Sequence, residues 1–223
     1  QESRPILTGV HFVLSDNKDL KTVATDSHRM SQKVITLEKN GDNFDVVIPS
    51  RSLREFTSVF SDDIETVEVF FANNQILFRS EHISFYTRLL EGNYPDTDRL
   101  IPTEFNTEAT FNVANLRFAM ERARLLSNAT QNGTVKLEFK NGVVSSHVHS
   151  PEVGRVNEEI DTSAVSGEDL SISFNPTYLI EALKAIDSEQ VVIRFISSVR
   201  PFTLVPEGNE QGFIQLITPV RTN

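Results

Sequence analysis

The stretch Ile172-Ser173-Phe174-Asn175-Pro176 joins the end of an apolar, β-type run to the beginning of a helix. Asparagine is a favoured helix N-cap and proline is favoured at the first helical position, so the pair predicts a helix that begins at the proline. Apolar side chains then recur with helical spacing at Leu179, Leu183 and Ile186. The β-branched and aromatic residues at 191–195 predict a strand after this helix. The local unit is therefore strand, helix, strand.

The same order of elements occurs roughly 125 residues earlier in the chain, which indicates a weak internal repeat. Residues 46–53 predict a strand followed by a helix that Ser50 caps and that continues to Phe60, and residues 67–71 predict the next strand. Another predicted helix is capped by Asn115 and places its apolar side chains inward; these are Leu116, Met120, Ala123 and Leu126. The first copy has no helix matching this one.

Most of the remaining chain reads as short strands separated by turns. In the first half these strands are predicted at residues 9–14, 20–25, 45–48, 66–71, 76–80 and 83–90. Many strands with few helices predict an α+β fold of repeated β-rich domains. The segment at residues 94–104 is rich in proline and charge, so it is the predicted linker between the copies.

The composition restricts the possible functions. The chain has 223 residues, no cysteine and a formal net charge of -10. Disulfides and thiolate metal sites are therefore excluded, and a reducing cytosol is permitted. No apolar run approaches the roughly 18 residues that span a bilayer. Because phosphate binding needs lysine and arginine, any contact with nucleic acid requires basic groups segregated onto one face.

Five short motifs, found in order, carry a resemblance to a known family. They are Arg4-Pro5-Ile6-Leu7-Thr8-Gly9-Val10, Thr22-Val23-Ala24-Thr25-Asp26-Ser27-His28-Arg29-Met30, Gly92-Asn93-Tyr94-Pro95-Asp96, Leu125-Leu126-Ser127-Asn128 and Thr218-Pro219-Val220-Arg221. With these motifs the chain resembles the β subunits of bacterial DNA polymerase III, the sliding clamps. The resemblance covers essentially the whole chain. Each motif is short, but the ordered set is specific.

The resemblance implies the DNA clamp fold, with outer antiparallel sheets and inner helices. Residues 1–103 would be the middle clamp domain without its first strand and helix, and residues 104–223 would be a complete C-terminal domain. The family's first domain, which joins the third domain of the other protomer, would be absent. We therefore expect the full-length protein to be a ring homodimer and this fragment to be a monomer that cannot close the ring.

The resemblance also implies a function and its partners. Family members are non-catalytic, cytoplasmic processivity factors that encircle duplex DNA and need no cofactor or metal. Sequence-independent contact with phosphates suits such a role, because base readout would hold the protein in one register. On the predicted helix after Asn115, the spacing places Arg117, Glu121 and Arg124 on one exposed side. By resemblance, Arg51, Arg117 and Arg124 face the DNA.

The second implied surface is a pocket between the two domains that accepts a short peptide, roughly Gln-Leu-x-Leu-Phe. Replicative and repair polymerases and the clamp loader carry such peptides in this family. The pocket needs an apolar slot and a few polar groups that fix the peptide backbone. The residues assigned to the slot are Leu7, Thr25, His28, Arg29, Met30, Pro95, Arg99, Leu100, Leu216, Thr218, Pro219, Val220 and Arg221. Asn175, Tyr178 and Arg200 are assigned to its polar entrance.

The sequence departs from the family pattern at three places near this pocket. Ser27 stands where a glycine is common, Met30 replaces a leucine, and Arg200-Pro201-Phe202 replaces smaller residues. These differences leave open the detailed shape of the pocket.

Other functions are also compatible with parts of the sequence. Asp26-Ser27-His28-Arg29 holds groups used in nucleophilic catalysis, but adjacent residues of an extended chain point to opposite faces, whereas a triad needs convergence. His147 and His149 can share one strand face and form the one metal-like pair, without a convergent third ligand. A β-rich interaction scaffold with no DNA role is the remaining alternative.

Overall fold

The structure is a computed structural model that describes residues 4–16, 18–38, 40–60, 64–127, 133–150, 154–209 and 212–221. The chain folds as two compact units. The first unit comprises Gln1–Ser27 and Gln32–Thr97, and the second comprises His28–Ser31 and Asp98–Asn223. The boundary after Thr97 lies inside the predicted linker, before the domain boundary that the sequence predicted after Thr103. Both units combine antiparallel strands with helices, so the predicted α+β class is confirmed.

The first unit contains two sheets and one α-helix. Its elements are a 3-10 turn Pro5–Thr8, β1 Gly9–Ser15, β2 Asp19–Thr25, β3 Arg29–Thr36, β4 Phe44–Pro49, α1 Ser50–Val59, β5 Glu68–Ala72, β6 Gln75–Arg79 and β7 Ser84–Arg88. One sheet has the order β3-β2-β1-β4 and the other has the order β5-β6-β7. Strand β3 was not predicted from the sequence, and its residues up to Ser31 belong to the second unit.

The inner face of the β5-β6-β7 sheet is only partly covered. Val69 and Phe71 of β5 lie directly opposite Phe78 and Ile76 of β6, so the four side chains share one face. Phe78 and Ile76 are buried, yet Val69 is 45% exposed and Phe71 is 42% exposed. Among the described residues, β5 pairs with β6 alone. One edge and part of one apolar face of this sheet are therefore open.

The second unit contains both remaining helices. Its elements are a 3-10 turn Asp98–Leu100, β8 Thr107–Asn112, α2 Val113–Ser127, β9 Val135–Lys140, β10 Val143–Ser150, β11 Gly154–Ile160, β12 Ala164–Gly167, β13 Leu170–Phe174, α3 Pro176–Lys184, β14 Gln190–Phe195, β15 Phe202–Pro206 and β16 Phe213–Ile217. The strands of this unit are ordered β12-β8-β14-β15-β16 and β11-β10-β9-β13.

Strand β14 is the counterpart of β5 in the predicted internal repeat. In contrast to β5, it pairs with a strand on both sides, and its apolar side chains are buried.

Aromatic packing joins the two sheets of the second unit. The ring centroids of Phe139 and Phe195 are 4.9 Å apart, and those of Phe174 and Phe202 are 5.1 Å apart. Phe139 and Phe174 come from the four-stranded sheet, while Phe195 and Phe202 come from the other one. Helices α2 and α3 pack against each other and add apolar side chains to this core. Such aromatic pairs contribute about 0.5–1.5 kcal/mol each beyond the burial of their area.

The three helices lie where the sequence predicts them, but two of the three predicted caps are wrong. Helix α1 has Pro49 at its N-cap, and Ser50 is its first helical residue. Helix α2 begins before Asn115, whose backbone N–H donates to Oδ1 of Asn112 (3.1 Å). In both cases the preceding strand runs directly into the helix, with no turn between them. The helix therefore begins earlier than the predicted cap residue allows. At α3, Oδ1 of Asn175 accepts from the backbone N–H of Thr177 (2.9 Å), which confirms the third cap.

Replacing Asn175 by alanine is expected to lower the free energy of unfolding by about 1 kcal/mol, because the N–H of Thr177 loses its acceptor. Chemical denaturation monitored by circular dichroism measures the change. Asn175→Ser, which keeps an oxygen acceptor, is the control and should recover most of the loss. Equal stability of the alanine and serine variants would contradict a capping role.

Candidate functional site

Two residues, one just before β3 and one at its start, meet helix α3 within the second unit. The Cζ atom of Arg29 lies 4.7 Å from the ring centroid of Tyr178. The ring of His28 lies 6.3 Å from the same ring, with 16° between the two planes. Nη1 of Arg29 also donates to a carboxylate oxygen of Glu181. We call these four residues the α3 surface.

Backbone hydrogen bonds fix the chain segments beside the α3 surface. The N–H of Thr218 donates to the carbonyl of His28 (2.8 Å), and the N–H of Val220 donates to the carbonyl of Ser173 (2.7 Å). The segment after β16 is thereby tied both to the start of β3 and to the end of β13. Four predicted pocket residues, His28, Arg29, Tyr178 and Thr218, are brought together in this way.

The other predicted pocket residues of the second unit differ in accessibility. Met30 and Leu216 are buried, and Asn175 and Pro219 are half-buried. Leu100 is 49% exposed and Val220 is 37% exposed, so both present apolar surface to solvent. The remaining residues are exposed basic side chains: Arg99, Arg200 and Arg221. The exposed part of the set is therefore apolar and positively charged, whereas the buried part belongs to the core.

Glu181 is a residue of this surface that sequence reasoning missed. It lies three positions after Tyr178 on α3, and residues at that spacing share one face of a helix. Helical spacing from Tyr178 therefore contained a signal for it. The contact with Arg29 was not predictable, because the two residues lie far apart in the sequence and β3 was not recognised as a strand.

The first unit holds the remaining predicted pocket residues. Leu7 is buried in the 3-10 turn, Thr25 is half-buried at the end of β2, and Pro95 is exposed. Next to Pro95, the hydroxyl of Tyr94 donates to the carbonyl of Val23 (3.3 Å). Burial raises the pKa of the Tyr94 phenol, although a backbone hydrogen bond partly offsets this, so the hydroxyl stays protonated as a donor at neutral pH.

The backbone explains why glycine is common in the family at the position of Ser27. Ser27 has a φ of 76°, in the left-handed region that glycine adopts without a steric penalty. Its N–H donates to Oγ1 of Thr25 (3.3 Å), and this bond helps to hold the bend. The bend separates Thr25 from His28, so a strained serine lies between two predicted pocket residues.

The predicted DNA-facing residues on α2 are less accessible than the sequence suggested. Arg117, Glu121 and Arg124 are half-buried, whereas the apolar side chains predicted to face inward are buried, except for Leu126, which is half-buried. The Nε atom of Arg117 is buried without a hydrogen-bond partner in the described part of the chain, and lies 3.9 Å from Oε1 of Glu121. This side of α2 is therefore only partly exposed. Helix α2 packs against α3 as well as against strands β8 to β11, so both of its flanks are partly covered.

The most exposed side of α2 carries different residues. Phe118 is half-exposed, Leu125 is exposed, and Arg122 pairs with the carboxylate of Glu158 on β11. This hydrogen bond raises the pKa of the Arg122 guanidinium above its usual value. Arg51 on α1 is exposed, and its Nε donates to Oε1 of Glu55 (3.1 Å).

His147, one residue of the predicted metal-like pair, has several polar neighbours, and Oε2 of Glu138 lies 3.6 Å from its Nε2. Nδ1 of His147 is 2.8 Å from Oδ1 of Asn157, and its Nε2 is 2.8 Å from Oγ of Ser145. Among the residues that the structure describes, there is no group of three or more His, Cys, Asp or Glu side chains that could hold a metal ion. Within the same residues, no helix is both long and apolar enough to cross a membrane.

Comparison with known proteins gives consistent matches along the chain. The family model for the C-terminal domain of the DNA polymerase III β subunit matches residues 98–221, and the model for its central domain matches residues 1–96. The chain is 81% identical over 223 residues to the β sliding clamp of Streptococcus pneumoniae serotype 4. It is 55% identical over 225 residues to that of Lactococcus lactis. Each match covers 100% of this chain and 59% of the curated relative.

Solved structures agree with the sequence matches. The crystal structure of the DNA polymerase III β chain from S. pneumoniae has a TM-score of 0.98 and 81% identity. The sliding clamp of Bacillus subtilis has a TM-score of 0.94 and 38% identity. Both matches cover 100% of this chain and 59% of the solved chain, so the present chain spans 59% of the length of these relatives.

Ser27→Gly is expected to raise the free energy of unfolding by about 0.5–1 kcal/mol, because relief at a positive φ outweighs the added entropy of the unfolded chain. Urea denaturation measures the change. Ser31→Gly, in strand β3, provides the control and should destabilise the protein instead. If both glycine variants lose stability equally, Ser27 is not strained.

Proposed function

The chain belongs to the DNA polymerase III β-subunit family, and we propose that it forms the peptide-docking and DNA-holding part of a sliding clamp. In this role it is a processivity factor of the replicative DNA polymerase. It surrounds duplex DNA without reading sequence and docks polymerases, the clamp loader and repair proteins through short peptides. The observation that carries the proposal is the α3 surface together with the family membership.

The chemistry of the α3 surface suits an extended peptide with apolar side chains. Leu100 and Val220 offer exposed apolar area of the kind that leucine and phenylalanine side chains cover. On the α3 surface, the guanidinium of Arg29 offers hydrogen-bond donors and the ring of Tyr178 offers a flat face. Arginine and tyrosine are enriched among the residues that carry most of the energy of such interfaces. Leu7, Thr25 and Pro95 of the first unit belong to the proposed docking set by resemblance.

A loose grip on DNA is consistent with the charges of the helices. The chain has a net charge of -10, which opposes tight general binding to phosphates. Arg51 and Arg117 each have a glutamate within 4 Å on the same helix, which reduces their local positive potential. Together with Arg124, they supply a few weak and sequence-independent phosphate contacts. Such contacts allow movement along the duplex.

The proposed role is non-catalytic and requires no cofactor. Polymerisation belongs to the partner enzymes, and the clamp contributes attachment to DNA. The proposed ring contains two copies of the longer family protein. The relatives are longer than this chain, and their additional residues would complete the ring. The present chain would be monomeric in solution.

Replacing Arg29 and Pro219 by alanine together is expected to weaken binding of a fluorescent Gln-Leu-Ser-Leu-Phe peptide by about tenfold or more, since a central arginine and an apolar wall are both lost. Fluorescence anisotropy measures the affinity, and circular dichroism verifies the fold.

Arg79→Ala is a matched control, because Arg79 also lies over an aromatic ring, that of Phe70 (4.6 Å), and pairs with a carboxylate, that of Glu68 (2.9 Å). Its replacement should leave peptide affinity unchanged. Unchanged affinity of the double variant would remove the docking assignment.

The DNA role is tested with the longer family protein that contains this chain. After loading on nicked circular DNA, it is expected to stay bound during gel filtration and to be lost when the circle is linearised, because a topological link has no need for strong phosphate contacts. A β-rich scaffold without a DNA role would show no retention on the circle. Retention after linearisation would indicate ordinary DNA binding and would contradict the clamp.

A further inference from the structure

We infer that Glu181 determines charge specificity at the α3 surface, by competing with acidic groups of a docked peptide for the guanidinium of Arg29. The inference rests on the proposed docking function and adds a residue and a selectivity to it. Its basis is the carboxylate contact that Glu181 makes with Arg29.

The contact is accessible enough to be exchanged. The side chain of Arg29 is 35% exposed and that of Glu181 is 49% exposed, so water and an incoming ligand reach both groups. Ion pairs at this level of exposure are weak. A carboxylate on a peptide can therefore replace Glu181, or share the guanidinium with it at the expense of repulsion between the two negative charges.

Glu181 differs in charge from the residues assigned to the docking set in the second unit. The other charged residues assigned to the docking set in the second unit are the basic side chains Arg99, Arg200 and Arg221, together with Arg29 itself. Glu181 places a negative charge against one of them. Its carboxylate lowers the positive potential that would otherwise favour acidic peptides without discrimination.

Helix α3 does not need Glu181 for its own stability. The helix is held by the Asn175 cap and by the buried side chains of Leu179, Ile180 and Leu183, whereas Glu181 lies on the exposed side. The guanidinium also lies over the ring of Tyr178, and this contact does not involve the carboxylate of Glu181. Glu181→Gln is therefore a substitution that changes charge while the surface keeps its shape.

The test uses two Gln-Leu-Ser-Leu-Phe peptides, one with a free C-terminal carboxylate and one with a C-terminal amide. In Glu181→Gln, affinity for the free acid should rise about three- to fivefold at low salt, while affinity for the amide should change less than about 1.5-fold. The gain should largely disappear at about 0.5 M salt, where exposed charges are screened. Isothermal titration calorimetry measures both affinities.

Glu189→Gln is the matched control, because it removes the same charge from a residue beyond the carboxyl end of α3. The backbone carbonyl of Glu189 accepts from the N–H of Val113 (2.9 Å), and the substitution leaves this bond in place. It should leave both affinities unchanged. Equal changes for the acid and the amide, or no change for either, would overturn the inference while leaving the docking function intact. Absence of binding of both peptides to the unsubstituted chain would overturn the docking function itself and the inference with it.

Discussion

The backbone hydrogen bond from Thr218 to His28 is the interaction on which the candidate site depends. It binds the start of β3 to the segment after β16, although β3 continues into the first unit. His28 and Arg29 therefore meet Tyr178 and Glu181 on α3. Because the bond joins backbone atoms, it tolerates side-chain variation at both positions. The arrangement of the charged and aromatic groups follows from this pairing and from the capped start of α3.

Local sequence signals predicted the elements well and their long-range pairing poorly. Asn175 and the proline after it predicted the start of α3, since an N-cap acts through its immediate neighbours. Strand β3 was missed because its residues, beginning at Arg29, are polar and lack a clear alternation. The caps of α1 and α2 were misplaced because each preceding strand enters its helix without a turn. The missed strand and the two misplaced caps all depend on tertiary pairing, which local sequence signals do not contain.

The family resemblance placed the site residues, but accessibility had to come from the structure. Arg117 and Arg124 have the correct helical spacing for an exposed face, yet both are half-buried in the structure. Met30 replaces a leucine of the family pattern and is buried. A buried site tolerates this exchange because the two apolar side chains have similar volumes. Ser27 shows the reverse case, because a family glycine position is occupied by a residue that bears backbone strain.

The open edge of β5 has a practical consequence for this chain in solution. In the described part of the chain, the edge of β5 away from β6 pairs with no other strand. Beside the exposed side chains of Val69 and Phe71, this edge is a template on which a strand of another molecule can add. At neutral pH the net charge of -10 keeps molecules apart. As the solution is acidified and carboxylates take up protons, the electrostatic repulsion between molecules decreases. The exposed edge of β5 is unchanged, so aggregation would begin at this strand.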